Sequence, residues 1–309
     1  MKRALVLSGG GSMGAFEVGA VDYLVHKAGY DFNVLMGTSV GALNTAFLGQ
    51  AWSYQELLKA TGDLKNFWLQ IKGDTSIYQK SILGYLKLLF RDALYEPKGL
   101  KALLKAQVDP ERICRNPKRI VKVATVAMET GELLYADNRD PRYRPEFLNY
   151  VLASASMPLF FPGAPIDGKH WYDGGLRDIT PLGAVFQESP DEIVIIITFP
   201  IGPDLSPRLP QVKPKGAIGA LLRTIDILTG EIEANDLQLA RMINDKAEYF
   251  PECRKIPLRI IAPVAPLESN GPLDFNPQKI RHNMERGYEA ARDSRLIIPS
   301  NRNAVGRSR

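Results

Sequence analysis

The chain has 309 residues, a net charge of +5 and a sequence pI of about 9.0. Its 45% hydrophobic and 24% charged residues are typical of a globular protein with a buried core, which excludes a disordered or fibrous chain. The mild positive charge does not indicate a nucleic-acid partner. The two cysteines, Cys114 and Cys253, lie far apart and favour a reducing, cytoplasmic compartment over a disulfide framework.

Metal sites and membrane spans are not expected either. None of the three histidines, His26, His170 and His282, has metal-ligand spacing from another. Two long stretches without charge, residues 32–55 and 147–166, are interrupted by glycines and prolines respectively. Neither stretch predicts a transmembrane helix.

The first recognisable element is a short buried strand at residues 4–7, followed by a glycine-rich loop and a helix at residues 15–24. Backbone N–H groups of such a loop can converge on a negative charge. The candidate glycines are Gly9, Gly10, Gly11 and Gly14. Three of them also fit the dinucleotide fingerprint, but Asp31 precedes the second strand instead of ending it. A dinucleotide-dependent oxidoreductase is therefore kept as a weaker hypothesis.

The second strand, at residues 34–37, runs into the pattern Gly37-Thr38-Ser39-Val40-Gly41, and a helix follows. This G-x-S-x-G pattern places a serine on a sharp strand-to-helix turn, with its hydroxyl lifted clear of the sheet. The helix also directs unpaired N–H groups at the space beside the serine. Ser39 is therefore the candidate nucleophile, although an ordinary strand–helix turn would give the same pattern.

The rest of the chain predicts an α/β fold with a mainly parallel sheet flanked by helices. We expect a helical, cap-like insertion at about 52–110, including a dense apolar run at residues 82–90 that could cover an apolar pocket. Further strands are predicted at residues 120–126, 193–199 and 258–262, and a helical region at 213–249 that breaks at Gly230. A single domain spanning residues 1–309 is the simplest organisation, with a disordered basic tail at 300–309.

A nucleophilic serine needs a base, and the residues offer two candidates. Asp173 follows two aromatic residues and precedes two glycines, and burial would raise its pKa and make it a better base. His170 is the rival, since histidine is the commoner partner of a nucleophilic serine. His170 stands in a polar, glycine-containing run that predicts an exposed turn.

Four motifs in one order resemble the patatin-like phospholipase family. They are the loop at residues 9–14, the Ser39 turn, the run Ala153-Ser154-Ala155-Ser156-Met157-Pro158, and Asp173-Gly174-Gly175. The resemblance implies an α/β-hydrolase-related fold and a Ser39–Asp173 dyad without histidine. It also implies an oxyanion hole in the glycine loop and calcium-independent ester hydrolysis, with no cofactor. The family usually has Arg or Lys where this chain has Met13.

The leading hypothesis is therefore a serine acyl hydrolase acting on phospholipid or other lipid esters, with peripheral contact to a membrane. The same acyl-enzyme could serve an acyltransferase. Met13 keeps a third hypothesis open, a lipid- or partner-binding protein that keeps the fold without catalysis.

Overall fold

The structure is a computed structural model that describes residues 1–80, 93–209, 211–249 and 254–295. Two predicted segments, the apolar run at 82–90 and the basic tail at 300–309, lie outside the described residues.

The strands, in chain order, are β1 (Arg3–Leu7), β2 (Val34–Thr38), β3 (Gln79–Lys80), β4 (Tyr95–Glu96), β5 (Ile120–Ala127), β6 (Leu133–Asp137), β7 (Ala164–Ile166), β8 (Lys169–Asp173), β9 (Glu192–Ile196) and β10 (Leu258–Ile261). The helices are α1 (Gly14–His26), α2 (Val40–Leu48), α3 (Tyr54–Leu69), α4 (Lys98–Gln107), α5 (Pro110–Cys114), α6 (Phe147–Ser154), α7 (Leu182–Phe186), α8 (Gly216–Lys246) and α9 (Pro277–Asp293).

Eight of these strands form one mixed, mostly parallel sheet in the order β10-β9-β1-β2-β5-β8-β7, with β6 paired to β5. The five strands from β10 to β5 run parallel. The pairs β5–β6, β5–β8 and β7–β8 are antiparallel. The predicted α/β fold with a mainly parallel sheet flanked by helices is confirmed.

The central strands are continuous apolar runs because both faces of the sheet are covered by helices. In β1, Leu5 and Leu7 join one hydrophobic core, while Ala4 and Val6 join a second core on the other face. This alternation follows from the two-residue period of a strand. Helices α1, α2, α3, α6 and α9 cover the first face, and α7 and α8 cover the second.

Two predicted element boundaries were wrong. The strand predicted at 193–199 ends at Ile196, because β1 beside it ends at Leu7 and the chain beyond turns away into the glycine loop. Helix α8 runs unbroken through Gly230, where a break was predicted. One helical glycine costs only about 1 kcal/mol relative to alanine, and α8 recovers more by burying residues such as Leu237 in the second core.

The described part of the predicted insertion at 52–110 contains α3 and α4, as expected from its helical pattern, together with a short antiparallel ladder of β3 and β4 that was not predicted. Within the described residues, every helix is too short or too polar to cross a lipid bilayer.

Candidate active site

Ser39 occupies the sharp turn between β2 and α2, with φ 57° and ψ −126°. An L-residue in this region carries strain of about 1–3 kcal/mol, which the surrounding structure must offset. The flanking glycines allow the turn to pack tightly: a Cβ on Gly37 would lie 2.3 Å from the Gly41 carbonyl oxygen, and a Cβ on Gly41 would lie 2.3 Å from that of Leu7. Both positions therefore require glycine, because neighbouring backbone atoms leave no room for a side chain.

A second contact orients the turn from α6. The backbone N–H of Ser39 donates to the hydroxyl oxygen of Ser154 at 3.0 Å. Ser154 is the last residue of α6 and is fully buried. The serine-rich run at residues 153–158 therefore holds the nucleophile turn in place.

Strand pairing explains how Asp173 reaches Ser39. Strand β2 pairs with the first part of β5, where Thr38 lies opposite Ala124. Strand β8 pairs with the last part of β5, where Asp173 lies opposite Thr125. Because β6 occupies the other side of β5, β2 and β8 share one side and run toward each other. Their carboxyl ends therefore meet, which places Asp173 next to the Ser39 turn.

The Ser39 hydroxyl lies beside the Asp173 carboxylate and favours its ionised form. The Gly175 N–H donates to Oδ1 of Asp173 at 2.8 Å. Burial raises the pKa of Asp173 to about 6, against the lowering effects of the Ser39 hydroxyl and the Gly175 N–H. At neutral pH most of the Asp173 carboxylate is ionised, so it can accept a proton from Ser39.

The glycine loop lies directly beside the nucleophile. A Cβ on Gly9 would lie 3.1 Å from the Ser39 Cβ. Gly10 and Gly11 have φ 155° and 58°, a region that favours glycine. Among the described residues, no hydrogen-bond acceptor is found for their N–H groups. The N–H of Gly14 instead donates to the Gly11 carbonyl, so it is not free to bind a ligand.

A predominantly apolar cavity of about 70 Å³ is lined by Ser39 and Gly11 and lies between α2, α3 and α4. Its walls are mostly aliphatic or aromatic, and they include Leu43, Phe47, Leu64, Phe67, Trp68, Leu100, Leu103, Leu104, Phe161 and Phe275. The predicted insertion thus contributes two of the cavity's three helical walls.

Asn44 is a polar residue in the cavity wall, and its amide is engaged. Its Oδ1 accepts from the Trp68 indole at 3.0 Å, and its Nδ2 donates to Glu17 at 2.8 Å. Burial raises the pKa of Glu17 well above its ordinary value, which favours the neutral acid. This part of the wall therefore presents no charge and no free donor to a ligand.

The loop before α9 was missed by sequence reasoning. Leu273 and Phe275 line the cavity, and the carbonyl of Pro272 accepts from the N–H of Ser12 at 2.7 Å. No local sequence pattern marks these residues, because their role depends on contacts with segments some 200–260 residues earlier in the chain. For example, the Phe275 N–H donates to Asp74 at 3.0 Å.

His170, the rival base, lies in β8 on the protein surface. Its side chain is 62% exposed, and its Nδ1 lies 2.8 Å from Glu129 Oε1. Three residues of extended strand separate it from Asp173, which is about 10 Å. The geometry therefore pairs Ser39 with Asp173.

Metal binding and dinucleotide binding gain no support from the residues around Ser39. Within the described residues, no group of three or more His, Cys, Asp or Glu side chains could hold a metal ion. The dinucleotide fingerprint needs an acidic residue at the end of β2, and Ser39 stands there instead.

Known proteins similar to this chain include one sequence relative and two solved structures. An uncharacterized protein of Escherichia coli (strain K12), YjjU, is 24% identical over 209 residues, covering 64% of this chain and 52% of YjjU. This chain thus spans about half the length of that relative. The crystal structure of VipD from Legionella pneumophila superposes with a TM-score of 0.46 and 14% identity, over 96% of this chain and 68% of that one. The type III effector protein ExoU gives a TM-score of 0.36 and 15% identity, over 94% of this chain and 52% of that one.

The family comparison is more direct. Residues 5–186, more than half of the 309, match the family described as patatin-like phospholipase. The matched region contains the glycine loop, the Ser39 turn and Asp173. The chain belongs to the patatin-like phospholipase family.

Proposed function

We propose that the protein is a lipid acyl hydrolase that cleaves carboxylic esters, including phospholipid esters, through a Ser39–Asp173 dyad. The observation that carries this proposal is the Ser39 hydroxyl beside the buried Asp173 carboxylate, in the wall of an apolar cavity. A nucleophile with an adjacent base suits acyl transfer, and the cavity suits an alkyl chain.

In the first half-reaction, Ser39 Oγ attacks the ester carbonyl carbon while Asp173 takes the hydroxyl proton. The negative charge on the carbonyl oxygen is stabilised by the N–H groups of Gly10 and Gly11, which have no acceptor among the described residues. Collapse of the tetrahedral intermediate breaks the ester C–O bond. Protonated Asp173 returns its proton to the departing alkoxide, which leaves as the alcohol.

In the second half-reaction, water attacks the acyl-Ser39 carbonyl and Asp173 takes a proton from it. As this intermediate collapses, the bond to Ser39 Oγ breaks and Asp173 returns its proton to Oγ, which releases the carboxylic acid and regenerates the Ser39 hydroxyl. An acyltransferase would differ only in the acceptor, so analysis of products formed with and without an added alcohol separates the two activities.

The direct test is an ester assay combined with a fluorophosphonate probe, which reacts with activated serine nucleophiles. We expect the wild-type protein to hydrolyse a p-nitrophenyl ester and to lose that activity in proportion to probe labelling. A protein that neither hydrolyses esters nor labels would contradict the proposal and favour a lipid- or partner-binding role.

The cavity leads to a prediction about chain length. From Ser39 to Phe47, α2 lines the cavity for eight residues, or about 12 Å at the rise of an α-helix. We expect higher kcat/KM for p-nitrophenyl decanoate than for the acetate. Leu43→Trp adds bulk one helical turn from Ser39, so it should lower kcat/KM for the decanoate about ten- to hundredfold while sparing the acetate.

The matched control is Lys101→Trp, which adds the same side chain at an exposed position of α4, another helix of the cavity wall. This variant should keep the wild-type ratio between the two esters. Equal losses on both esters in Leu43→Trp would show that the acyl chain does not occupy this cavity.

The pH dependence follows from the raised pKa of Asp173. Only the ionised carboxylate can act as base, so kcat/KM should rise with pH, reach half its maximum near the Asp173 pKa of about 6, and level off above it. Initial rates on a neutral ester, followed by pH-stat from about pH 5 to about pH 8, would measure this profile. A rate independent of pH across that range would contradict Asp173 as the base.

A further inference from the structure

Thr198 lies two residues beyond the end of β9 and outside the region that matches the family, and it is fully buried. Its hydroxyl donates to the Gly9 carbonyl oxygen at 2.6 Å. The Ser8 hydroxyl donates to the same oxygen at 3.2 Å. Thr198 also packs against the next residue, since a Cβ on Gly10 would lie 2.3 Å from the Thr198 Oγ1.

The hydrogen bond to Gly9 also fixes the direction of the neighbouring N–H. The described residues contain no cis peptide bond, so the Gly9–Gly10 peptide is trans. In a trans peptide the C=O and N–H point in opposite directions. Because the Gly9 carbonyl points at Thr198, the Gly10 N–H points away from Thr198. The same peptide borders Ser39, since a Cβ placed on Gly9 would lie only 3.1 Å from the Ser39 Cβ.

The other end of the glycine loop is held by Pro272, which lies in the C-terminal third of the chain. The Ser12 N–H donates to the Pro272 carbonyl at 2.7 Å. A Cβ on Gly11 would lie 2.1 Å from that same carbonyl oxygen. The N–H groups of Gly10 and Gly11 therefore lie between two anchored peptides.

We propose that Thr198 is a positioning residue for the oxyanion hole: its hydroxyl holds the Gly9–Gly10 peptide so that the Gly10 N–H faces the oxyanion formed on Ser39. This inference rests on the proposed hydrolase function. Consecutive glycines have a wide choice of backbone conformations, and an oxyanion donor is effective only when it is oriented before the reaction. The Thr198 hydroxyl supplies that orientation without touching the substrate.

The test compares Thr198→Val with Thr198→Ser. Valine keeps the shape of threonine but has no hydroxyl, whereas serine keeps the hydroxyl and loses a methyl group. We expect Thr198→Val to lower kcat about ten- to hundredfold with little change in KM, because a small displacement of a catalytic group has an effect of this size. The fluorophosphonate labelling rate should fall in parallel, and Thr198→Ser should restore both rates to within a few-fold of wild type.

Ser8→Ala provides a second, milder variant, since it removes the longer of the two hydrogen bonds to the Gly9 carbonyl. It should reduce kcat in the same direction but by less, and it serves as the test if Thr198→Val does not fold. Thermal unfolding of each variant identifies that case.

The outcomes separate this inference from the function on which it rests. Wild-type activity in a folded Thr198→Val protein, or equal loss in Thr198→Ser and Thr198→Val, would overturn the positioning role and leave the hydrolase proposal intact. A loss confined to KM would also overturn it. Absence of hydrolysis and labelling in the wild-type protein would overturn both.

Discussion

Ser39→Ala is expected to lower kcat for ester hydrolysis by about 10⁵–10⁶-fold, since loss of a serine nucleophile removes the covalent route. Fluorophosphonate labelling should disappear as well. Stability should change little, because the substitution deletes one hydroxyl and leaves the backbone turn, with φ 57°, unchanged. Purified variant and wild type would be compared by initial rates, probe labelling and thermal unfolding.

Ser39→Gly makes a matched control for this prediction. Like Ser39→Ala, it lacks the nucleophilic hydroxyl, but glycine relieves the backbone strain of the positive φ at this position. We therefore expect Ser39→Gly to be as inactive as Ser39→Ala and to unfold at a higher denaturant concentration. Substantial hydrolysis by folded Ser39→Ala protein would mean that the reacting group lies elsewhere.

Asp173→Asn is expected to lower kcat by about 10²–10⁴-fold, the usual contribution of a general base, with little change in KM. Asparagine has nearly the same shape, and its amide oxygen can still accept from the Gly175 N–H, so the loop should keep its position. The measurement is kcat and KM on a short-chain ester at a pH well above the wild-type midpoint.

Thermal stability provides an independent check on Asp173. Its pKa is raised to about 6 in the folded protein, above the value of about 4 for an exposed aspartate. The folded state therefore holds the proton more strongly than the unfolded state, and the stability contribution of this group falls as the pH rises through that interval. At neutral pH, Asp173→Asn removes a buried charge and should unfold at the same or a higher temperature than wild type.

His170→Ala is the control for the identity of the base. Because His170 is exposed and contacts Glu129, the substitution should leave kcat within a few-fold of wild type. An inactive, folded His170→Ala protein beside an active Asp173→Asn protein would reverse the assignment.

The local elements of the fold could be predicted from the sequence because their causes are local. The strand ending at Thr38, the helix starting at Val40 and the glycines around Ser39 all follow from residues within a few positions. The predicted strands at residues 4–7, 120–126 and 258–262 are confirmed to within one residue at each end. The predicted helix break at Gly230 is wrong, because helix propensity is a weak preference and the packing of α8 outweighs it.

The sequence by itself determined the α/β class and the strained turn at Ser39, because hydrophobic periodicity and backbone sterics act over short distances. The tertiary structure alone decided how Asp173 comes to Ser39, since that depends on β2 and β8 sharing one side of β5. It also decided which residues wall the cavity, and that Thr198 and Pro272 hold the glycine loop. These contacts join segments far apart in the chain, so they cannot be predicted from hydrophobic periodicity or motif spacing.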